Sequence, residues 1–524
     1  MPIIKESLPI TMADYFSLRT CESLLTEKAK MGDWPTIKSQ KANGLEEIST
    51  SDNRTLYQKR IVILGFGSIG SGLLPVIYDL FQDPDITVIT ADERNSKVAE
   101  SYPINHKVQR VTKENYASVL QQHLTNGDFL VNVSVDVSSL DLISWCQTHE
   151  VLYIDTVIEP WEGNYTDPSK PMQERTNYFL RQELLQYKAS SASPTTAVVA
   201  HGANPGLVNH LVKEALLLIA ARAGATAAPP RTREDWVRLA HDLGVKAIHI
   251  AERDTQRRAA PKQRGEFVNT WSVDGFVAEA SQPSELGWGT HERAVPADAG
   301  RHPPSALHHP AVGCPSIFLA RPGAATRVRS WTPGEGPMHA FLITHNESVS
   351  IADYFSGVVG GRPYRPTVLY AYHPCDAAVA SLHELAGRGL RPPERRTVLG
   401  PDDVLDGADE LGVLLLGSPH GSLWYGSRLS AAQARAAAPH NTATTLQVAA
   451  AVAAGMRWAA EHPREGVVEA DALPHDRILG LCRPYLGDLV AAWTDWTPLH
   501  GRSGLFPEPA DPDDPWQFVN FRVA

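Results

Sequence analysis

The sequence contains no apolar run of the roughly 18 residues that a membrane-spanning helix needs, so we expect no membrane partner. Lysine and arginine form no basic stripe and the formal net charge is −11, which argues against a nucleic-acid partner. The 524 residues include only five cysteines, and none stands in a CxxC or Cys/His spacing. Scattered thiols of this kind are typical of a reduced, cytoplasmic protein and indicate neither a disulfide framework nor a metal site.

Two common catalytic signatures are absent as well. The sequence has no GxSxG nucleophile elbow and no HExxH metal pair, so it predicts neither serine-hydrolase chemistry nor metal catalysis. It does have 43% hydrophobic residues, which is enough to form sizeable cores. The length predicts two or three domains.

Strands and helices alternate with short connections after residue 60, which predicts an α/β fold with a doubly wound parallel sheet. Strands are predicted at 60–64, 86–90, 129–135, 151–156, 196–201 and 411–416. Helices are predicted at 73–81, 115–124, 140–149, 176–188, 207–221 and 444–461. The stretches 294–312 and 356–366, rich in Pro, Gly, His or Ala, are predicted as surface loops.

A glycine-rich turn, Gly65-Phe66-Gly67-Ser68-Ile69-Gly70, joins the first of these strands to the first helix. Gly65 permits the tight turn, Gly67 lets the backbone approach a pyrophosphate, and Gly70 allows close packing of helix on strand. The free N–H groups at the helix start, from Ser68 and Ile69 onward, then face the anion. This context favours dinucleotide binding, with a glycine turn that binds nothing as the alternative.

An acidic residue follows the next strand, about 20 residues further on, as in dinucleotide-binding domains. Asp92 is placed to accept hydrogen bonds from the adenosine ribose and so favours NAD. Arg94 is close enough to leave NADP open, and an ordinary solvated loop acid is the alternative interpretation of Asp92.

Polar residues also stand at the carboxyl ends of three further strands, where doubly wound sheets bind their ligands. The polar residues are Ser134 and Asp136, Thr156 and Glu159, and Asn204, and the valines Val135 and Val157 stand among them. As a set they predict a site, with Ser134, Val135, Thr156 and Val157 on the cofactor side. Each one alone is more often a helix cap or a turn residue.

The second half of the chain mixes charge with apolar residues around Glu252, Trp271, Glu279 and His345. Trp271 is interpreted as a mid-strand residue, and from its position alone a core side chain is favoured over a platform for a cation. His345 is predicted to end a strand. Its imidazole titrates near neutrality, although most histidines are surface or packing residues.

Long and unusual blocks extend over about residues 58–524. They include GFGSIGSGLLP, VNVSVDVSSLD, YIDTVIEPW, GANPGLV, IHIAERDTQ, VNTWSVDGF, FLITHNESVSIADYF, YAYHPC and DPWQF. These blocks resemble the bacterial homospermidine synthases, which belong to the saccharopine dehydrogenase-like superfamily. The resemblance implies a homodimer with a Rossmann-type domain, a second α+β domain and NAD as a prosthetic group. It implies aminobutyl transfer from putrescine, or from spermidine, to putrescine, with release of ammonia or diaminopropane.

The resemblance also assigns roles to single residues. It implies diamine-binding acids at Asp136, Glu159, Glu252, Glu279 and Asp409. It implies a cation–π role for Trp271, and it places Asn204 and His345 near the substrate and the nicotinamide. The proton transfers among Glu159, Glu252 and His345 stay open. The segments 1–58, 297–312 and the Gly-Gly pair near 360 depart from the family pattern.

We therefore predict an extension at 1–58 with a helix around 12–30, an NAD-binding domain at 59–205, and a substrate and dimerisation domain at 206–524. Part of the last domain is expected to pack back on the NAD domain. Composition changes from lysine-rich to arginine-rich near 216–230, and a natural or an engineered origin of that change stays open. Two alternative functions remain: a net oxidoreductase of the saccharopine or carboxynorspermidine dehydrogenase type, and a non-catalytic dinucleotide-responsive protein.

Overall fold

The computed structural model describes residues 54–225, 230–502 and 504–524. Most of the predicted extension, including the helix around 12–30, lies outside these residues. Residues Arg54–Ala524 form one compact unit.

The strands follow one another in this order: β1 (Thr55–Leu56), β2 (Arg60–Leu64), β3 (Phe81–Gln82), β4 (Asp85–Thr90), β5 (Asn105–Val108), β6 (Phe129–Asn132), β7 (Leu152–Asp155), β8 (Ala197–Val199), β9 (Ala247–Asp254), β10 (Arg257–Arg258), β11 (Glu266–Asn269), β12 (Pro283–Gly287), β13 (Ala299–Arg301), β14 (Ser316–Pro322), β15 (Arg327–Thr332), β16 (Gly336–Ile343), β17 (Gly357–Val359), β18 (Arg362–Tyr364), β19 (Thr367–His373), β20 (Arg395–Val398), β21 (Val404–Asp406), β22 (Ala408–Leu416), β23 (Ser422–Ser430), β24 (Val467–Glu469) and β25 (Asp488–Thr494).

The helices are α1 (Ser68–Leu80), α2 (Ser96–Ala99), α3 (Tyr116–His123), α4 (Ser139–Thr148), α5 (Asn177–Ser190), α6 (Leu207–Arg222), α7 (Arg233–Asp242), α8 (Val273–Ser281), α9 (Asn346–Tyr354), α10 (Asp376–Gly387), α11 (Ala431–Ala437), α12 (Ala443–Glu461), α13 (His475–Cys482) and α14 (Phe518–Phe521).

The first sheet has seven strands in the order β24-β8-β7-β6-β2-β4-β5, and every neighbouring pair is parallel. Its central strands are continuous apolar runs because helices cover both faces; Ile61, Val62 and Ile63 of β2 are fully buried. The predicted doubly wound α/β class is therefore confirmed.

The second sheet is mixed and has ten strands, with the path β13-β14-β12-β19-β9-β22-β23-β25 and with β15 and β16 joined beside β19. Strands β9 and β19 are parallel neighbours, whereas β9 and β22 run antiparallel. The long helix α12 is buried over most of its length, as its alanine-rich sequence allows. After α12 the chain adds β24 to the edge of the first sheet, so the two sheets share one core.

The structure corrects two of the predicted loops. The stretch 356–366 contains a hairpin of β17 and β18, because Gly360 and Gly361 both adopt the positive φ angles that a tight hairpin turn requires. The stretch 294–312 contains the short strand β13, which pairs with β14. No helix in the described ranges combines the length and apolarity that crossing a membrane requires.

A buried ion-pair network connects the elements around the first sheet. Arg181 of α5 donates to Glu469 at the end of β24 over 2.6 Å and to Asp353 of α9 over 2.9 Å. The Arg181 side chain is only 4% exposed. One guanidinium therefore holds together three segments that are far apart in the chain.

We expect Arg181→Leu to lower the free energy of unfolding by about 3 kcal/mol, because it leaves the largely buried Glu469 without its partner and leaves Asp353 only its 3.6 Å pair with Arg233. The measurement is urea unfolding followed by circular dichroism. Arg238→Leu is the control, since Arg238 pairs with Asp235 at the surface and is 62% exposed, so its loss should change stability by less than about 0.5 kcal/mol. Equal effects of the two substitutions would contradict a structural role for the network.

Candidate active site

A cavity lies between the carboxyl ends of the first sheet and the second sheet. It contains about 990 Å³ of empty space, including solvent at its mouth. The predicted site residues that line it are Ile69, Ser134, Val135, Thr156, Val157, Glu159, Asn204, Glu252, Trp271, Glu279 and His345. The structure thus brings together side chains from both halves of the chain; their individual roles stay predictions.

The glycine turn has the geometry that a dinucleotide pyrophosphate needs. Gly65 has a φ of +96°, and a Cβ atom there would lie 2.7 Å from the backbone nitrogen of Ser134. A Cβ atom on Gly70 would lie 2.3 Å from the Gly65 carbonyl oxygen, whereas one on Gly67 would meet nothing within 4 Å. The helix α1 begins at Ser68 without a side-chain cap, so its first N–H groups are free to bind an anion.

Asp92 lies just beyond β4 and outside the cavity lining. Its carboxylate accepts bonds from the Arg94 Nε atom at 3.0 Å and 2.9 Å. Hydrogen bonding by Arg94 lowers the pKa of Asp92, so the carboxylate stays charged and able to accept further hydrogen bonds. Because Arg94 is engaged with this acid, the arrangement favours a ribose hydroxyl over a ribose phosphate at this position.

Glu159 is a buried acid at the first-sheet side of the cavity. Burial raises its pKa to about 8, and the negative charges of Asp136 and Glu279 contribute to the same shift. Asp136 itself is half-buried, has a positive φ of 63° and does not line the cavity. Its influence on Glu159 is therefore electrostatic.

Glu252 lies at the second-sheet side, near the end of β9. Its Oε2 atom accepts hydrogen bonds from the Tyr370 hydroxyl at 2.7 Å and from the Asn204 amide at 3.2 Å. Burial raises the pKa of Glu252, and the Tyr370 hydrogen bond opposes that rise. The carboxyl group is therefore able to exchange a proton near neutral pH.

His345 stands between two glutamates at the start of α9. Its Nε2 atom lies 3.0 Å from Glu279, and its Nδ1 atom lies 3.3 Å from Glu347. Burial alone would lower the pKa of His345, but the charges of Glu279 and Glu347 outweigh burial and raise it well above the ordinary value. The imidazole is therefore charged at neutral pH.

Trp271 does not lie in mid-strand, as the sequence suggested. Strand β11 ends at Asn269, because Ser272 accepts the Gly275 N–H and caps α8, and Trp271 lies in the turn between the two. Its indole N–H donates to the Tyr372 hydroxyl at 3.3 Å, and its ring contacts Phe276. The side chain is half-buried and lines the cavity, so it belongs to the site rather than to the closed core.

His345 likewise does not end its strand, since β16 ends at Ile343. Asp409 is fully buried behind the cavity wall and does not line it. It accepts a 2.5 Å hydrogen bond from Thr444, which does line the cavity. Asp409 is therefore one residue removed from any ligand that the cavity holds.

Several lining residues were not predicted from the sequence: Tyr165, Asn177, Gln282, Thr344, Asn346 and Tyr370. Tyr370 had a detectable signal, because the alternation in Tyr370-Ala371-Tyr372 places both rings on one face of a strand. The amide residues Asn177, Gln282 and Asn346 had no such signal in the sequence, since Asn and Gln near helix ends are ordinary capping residues.

Two family models match the chain. The saccharopine dehydrogenase NADP binding domain matches residues 61–199, and the saccharopine dehydrogenase C-terminal domain matches residues 202–494. Together with the two sheets and the cavity between them, these matches define a dinucleotide-binding enzyme of the saccharopine dehydrogenase class.

Relatives identify the family within that class. A homospermidine synthase from Blastochloris viridis is 50% identical over 471 residues, covering 88% of this chain and 97% of that relative. A homospermidine synthase from Mesorhizobium japonicum is 46% identical over 472 residues, which cover 88% of this chain and 96% of that relative. The homospermidine synthase from Legionella pneumophila, whose crystal structure is in complex with NAD, is 43% identical in sequence. Its structure superposes with a TM-score of 0.82, and the match covers 90% of this chain and 100% of that chain. The chain belongs to the homospermidine synthase family, which confirms the resemblance seen in the sequence.

We expect Tyr370→Phe to move the acid limb of the pH–activity profile toward higher pH by about one unit. The substitution removes a hydrogen bond that stabilises the charged form of Glu252, so the pKa of this carboxyl rises further. Tyr364→Phe is the control, because the Tyr364 hydroxyl donates to the Val245 carbonyl outside the cavity. An acid limb unchanged in Tyr370→Phe would show that Glu252 does not control it.

Proposed function

We propose that this protein is a homospermidine synthase that transfers an aminobutyl group from putrescine, or from spermidine, to putrescine. A hydride leaves the carbon beside one donor nitrogen and gives an iminium. The amine of the second diamine adds to that carbon, ammonia or diaminopropane leaves, and the hydride returns to the new imine. Two putrescines thus give homospermidine and ammonia with no net oxidation.

The observation that carries this proposal is the charge of the cavity. Glu159, Glu252 and Glu279 line it, and the described lining contains neither lysine nor arginine. Putrescine is a dication at neutral pH and requires carboxylates, because burying an unpaired ammonium group is costly. A carboxylate substrate, as the saccharopine dehydrogenase alternative requires, finds neither lysine nor arginine among these lining residues, and the charged imidazole of His345 is already engaged by Glu279 and Glu347.

NAD is the cofactor. The relative from Legionella pneumophila binds NAD, and in this chain the open Gly67, the uncapped start of α1 and the charged Asp92 suit the same molecule. When bound, NAD supplies hydride acceptance and return. The residues Ser134, Val135, Thr156 and Val157 are assigned to hold its nicotinamide end, because they line the cavity beside the glycine turn.

The proton steps divide among the titratable residues of the cavity. Burial raises the pKa of Glu159 to about 8 and also raises that of Glu252, so each accepts a proton from an amine only after the positive charge of the bound diamine has returned its carboxyl to the charged form. His345 is already protonated and is therefore suited to donate a proton to the leaving nitrogen or to stabilise the two glutamates beside it. Trp271 supplies an aromatic ring for the transient iminium.

Two finer points belong to the same proposal. The resemblance of the sequence blocks supports a homodimer, which light scattering coupled to gel filtration tests directly. Free cysteines at 146, 314, 375 and 482 support a location in the reducing cytoplasm.

We expect substoichiometric NAD to support complete conversion of putrescine to homospermidine, without accumulation of NADH. The physical reason is that the hydride removed from the donor returns to the product imine. Product chromatography and nicotinamide absorbance measure the two quantities on one sample. Formation of NADH in proportion to consumed putrescine would overturn the proposal in favour of a net oxidoreductase.

Trp271→Ala is expected to lower kcat/KM about 30-fold or more, because a desolvated cation–π contact contributes about 2 kcal/mol. Trp271→Phe keeps an aromatic face and should lose less. Trp331→Phe, which changes a tryptophan outside the cavity, is the control, and thermal unfolding reports whether each variant is folded. Equal activity of folded Ala and Phe variants at position 271 would exclude a role for the ring.

A further inference from the structure

The start of α9 concentrates buried polar atoms that have no hydrogen-bond partner among the described residues. Three consecutive residues contribute such atoms, Asn346 Oδ1, Glu347 Oε2 and Ser348 Oγ, whereas the His345 Nδ1 atom faces Glu347 Oε1 at 3.3 Å. At the end of α8, the Gln282 Oε1 atom is also buried and without a partner. Unpaired buried polar atoms cost free energy, so a cluster of them beside a cavity indicates a missing ligand.

Two of these atoms belong to neutral amides that line the cavity. Gln282 is 1% exposed and Asn346 is 3% exposed, and each has a side-chain oxygen without a partner. Gln282 follows Glu279 by three residues, and Asn346 is adjacent to His345 in sequence. Glu279 and His345 are hydrogen-bonded to each other at 3.0 Å, so the two residues that carry these amides each adjoin, along the chain, one member of the same ion pair.

Amide oxygens and carboxylates affect an amine differently. Both accept its N–H groups, but a nearby carboxylate favours the protonated ammonium form, whereas an amide adds no charge. The attacking amine must be neutral, because an ammonium group has no lone pair. Free alkylamines resemble lysine, with a pKa of about 10.4, so only a small fraction of the amine is neutral near pH 7. Even a modest stabilisation of the ammonium form lowers that reactive fraction further.

We propose that Gln282 and Asn346 form a neutral acceptor subsite, which binds the amine nitrogen of the second diamine in its unprotonated form. This inference rests on the proposed function. The donor carbon must touch the nicotinamide, beside the first-sheet residues Ser134 and Thr156. Gln282, which directly follows α8, and Asn346, the first residue of α9, belong instead to the second half of the chain, and we assign them to the attacking diamine.

Replacing each amide by the acid of the same shape tests the effect of added charge without a change in side-chain size. We expect Gln282→Glu and Asn346→Asp each to lower kcat about tenfold near pH 7.5, because stabilising the ammonium form by about one pKa unit leaves a tenth of the neutral amine. The loss should recover as the pH rises, and KM for putrescine should not increase. Gln282→Met removes the acceptor without adding charge, so it should raise KM without moving the pH profile.

Gln182→Glu is the matched control. Gln182 lies in α5, is buried and also has an unpaired Oε1 atom, but it does not line the cavity. Its variant should keep the parent pH profile. Thermal unfolding of every variant shows which are folded, and Asn346→Asp provides the same test if Gln282→Glu does not fold.

Two results would overturn the subsite. One is a folded Gln282→Glu or Asn346→Asp variant whose kcat profile coincides with that of the parent. The other is slowing of the transient NADH absorbance, which reports donor oxidation, by as much as product formation, since the amides would then serve the donor. Failure of the parent itself to make homospermidine from putrescine with catalytic NAD would instead reject the proposed function.

Discussion

The burial of three acidic side chains in a cavity with few cations is the constraint on which the site depends. Three glutamates line the cavity, and His345 is the only positively charged side chain among its described lining residues. Moving carboxylates out of water costs free energy, and the raised pKa of Glu159 is the direct consequence. A dicationic ligand removes that cost by supplying the missing charge, so substrate binding and the proton affinity of the acids are set by the same electrostatic balance.

The topology explains how the charges are brought together. The carboxyl ends of the parallel strands in the first sheet place backbone and small polar groups beside the glycine turn, where a dinucleotide binds. In the second sheet, β9 and β19 are parallel neighbours, and Glu252 stands opposite Tyr372 in the register. Tyr370 therefore points to the same face as Glu252 and reaches its carboxylate. The first sheet supplies the glycine turn and Glu159, the second sheet supplies Glu252, and the helix α8 supplies Glu279.

Short stretches of sequence predicted part of this site. The positions of the glycine turn and of the strand-end residues Ser134, Thr156 and Glu159 in the cavity wall were predictable because strand, turn and helix follow one another within a few residues. Trp271 was misplaced because its aromatic character favours a strand, whereas the serine cap of α8 ends that strand earlier. Gln282 and Asn346 were not predicted at all. They reach the cavity only because α8 and α9, which are some 60 residues apart in sequence, begin or end beside one ion pair.

A cavity lined by acids alone would bind diamines well and convert them poorly, because each carboxylate that attracts an ammonium group also keeps it protonated. A redox-neutral transfer needs both states in one molecule: charged ends for binding, and an uncharged nitrogen for attack. The cavity contains both kinds of acceptor, with carboxylates at Glu159, Glu252 and Glu279 and amides at Gln282 and Asn346. The carboxylates bind the ammonium ends of the substrates, and the amides bind the attacking nitrogen without adding charge. A polycation can thus be held tightly while one nitrogen remains a nucleophile.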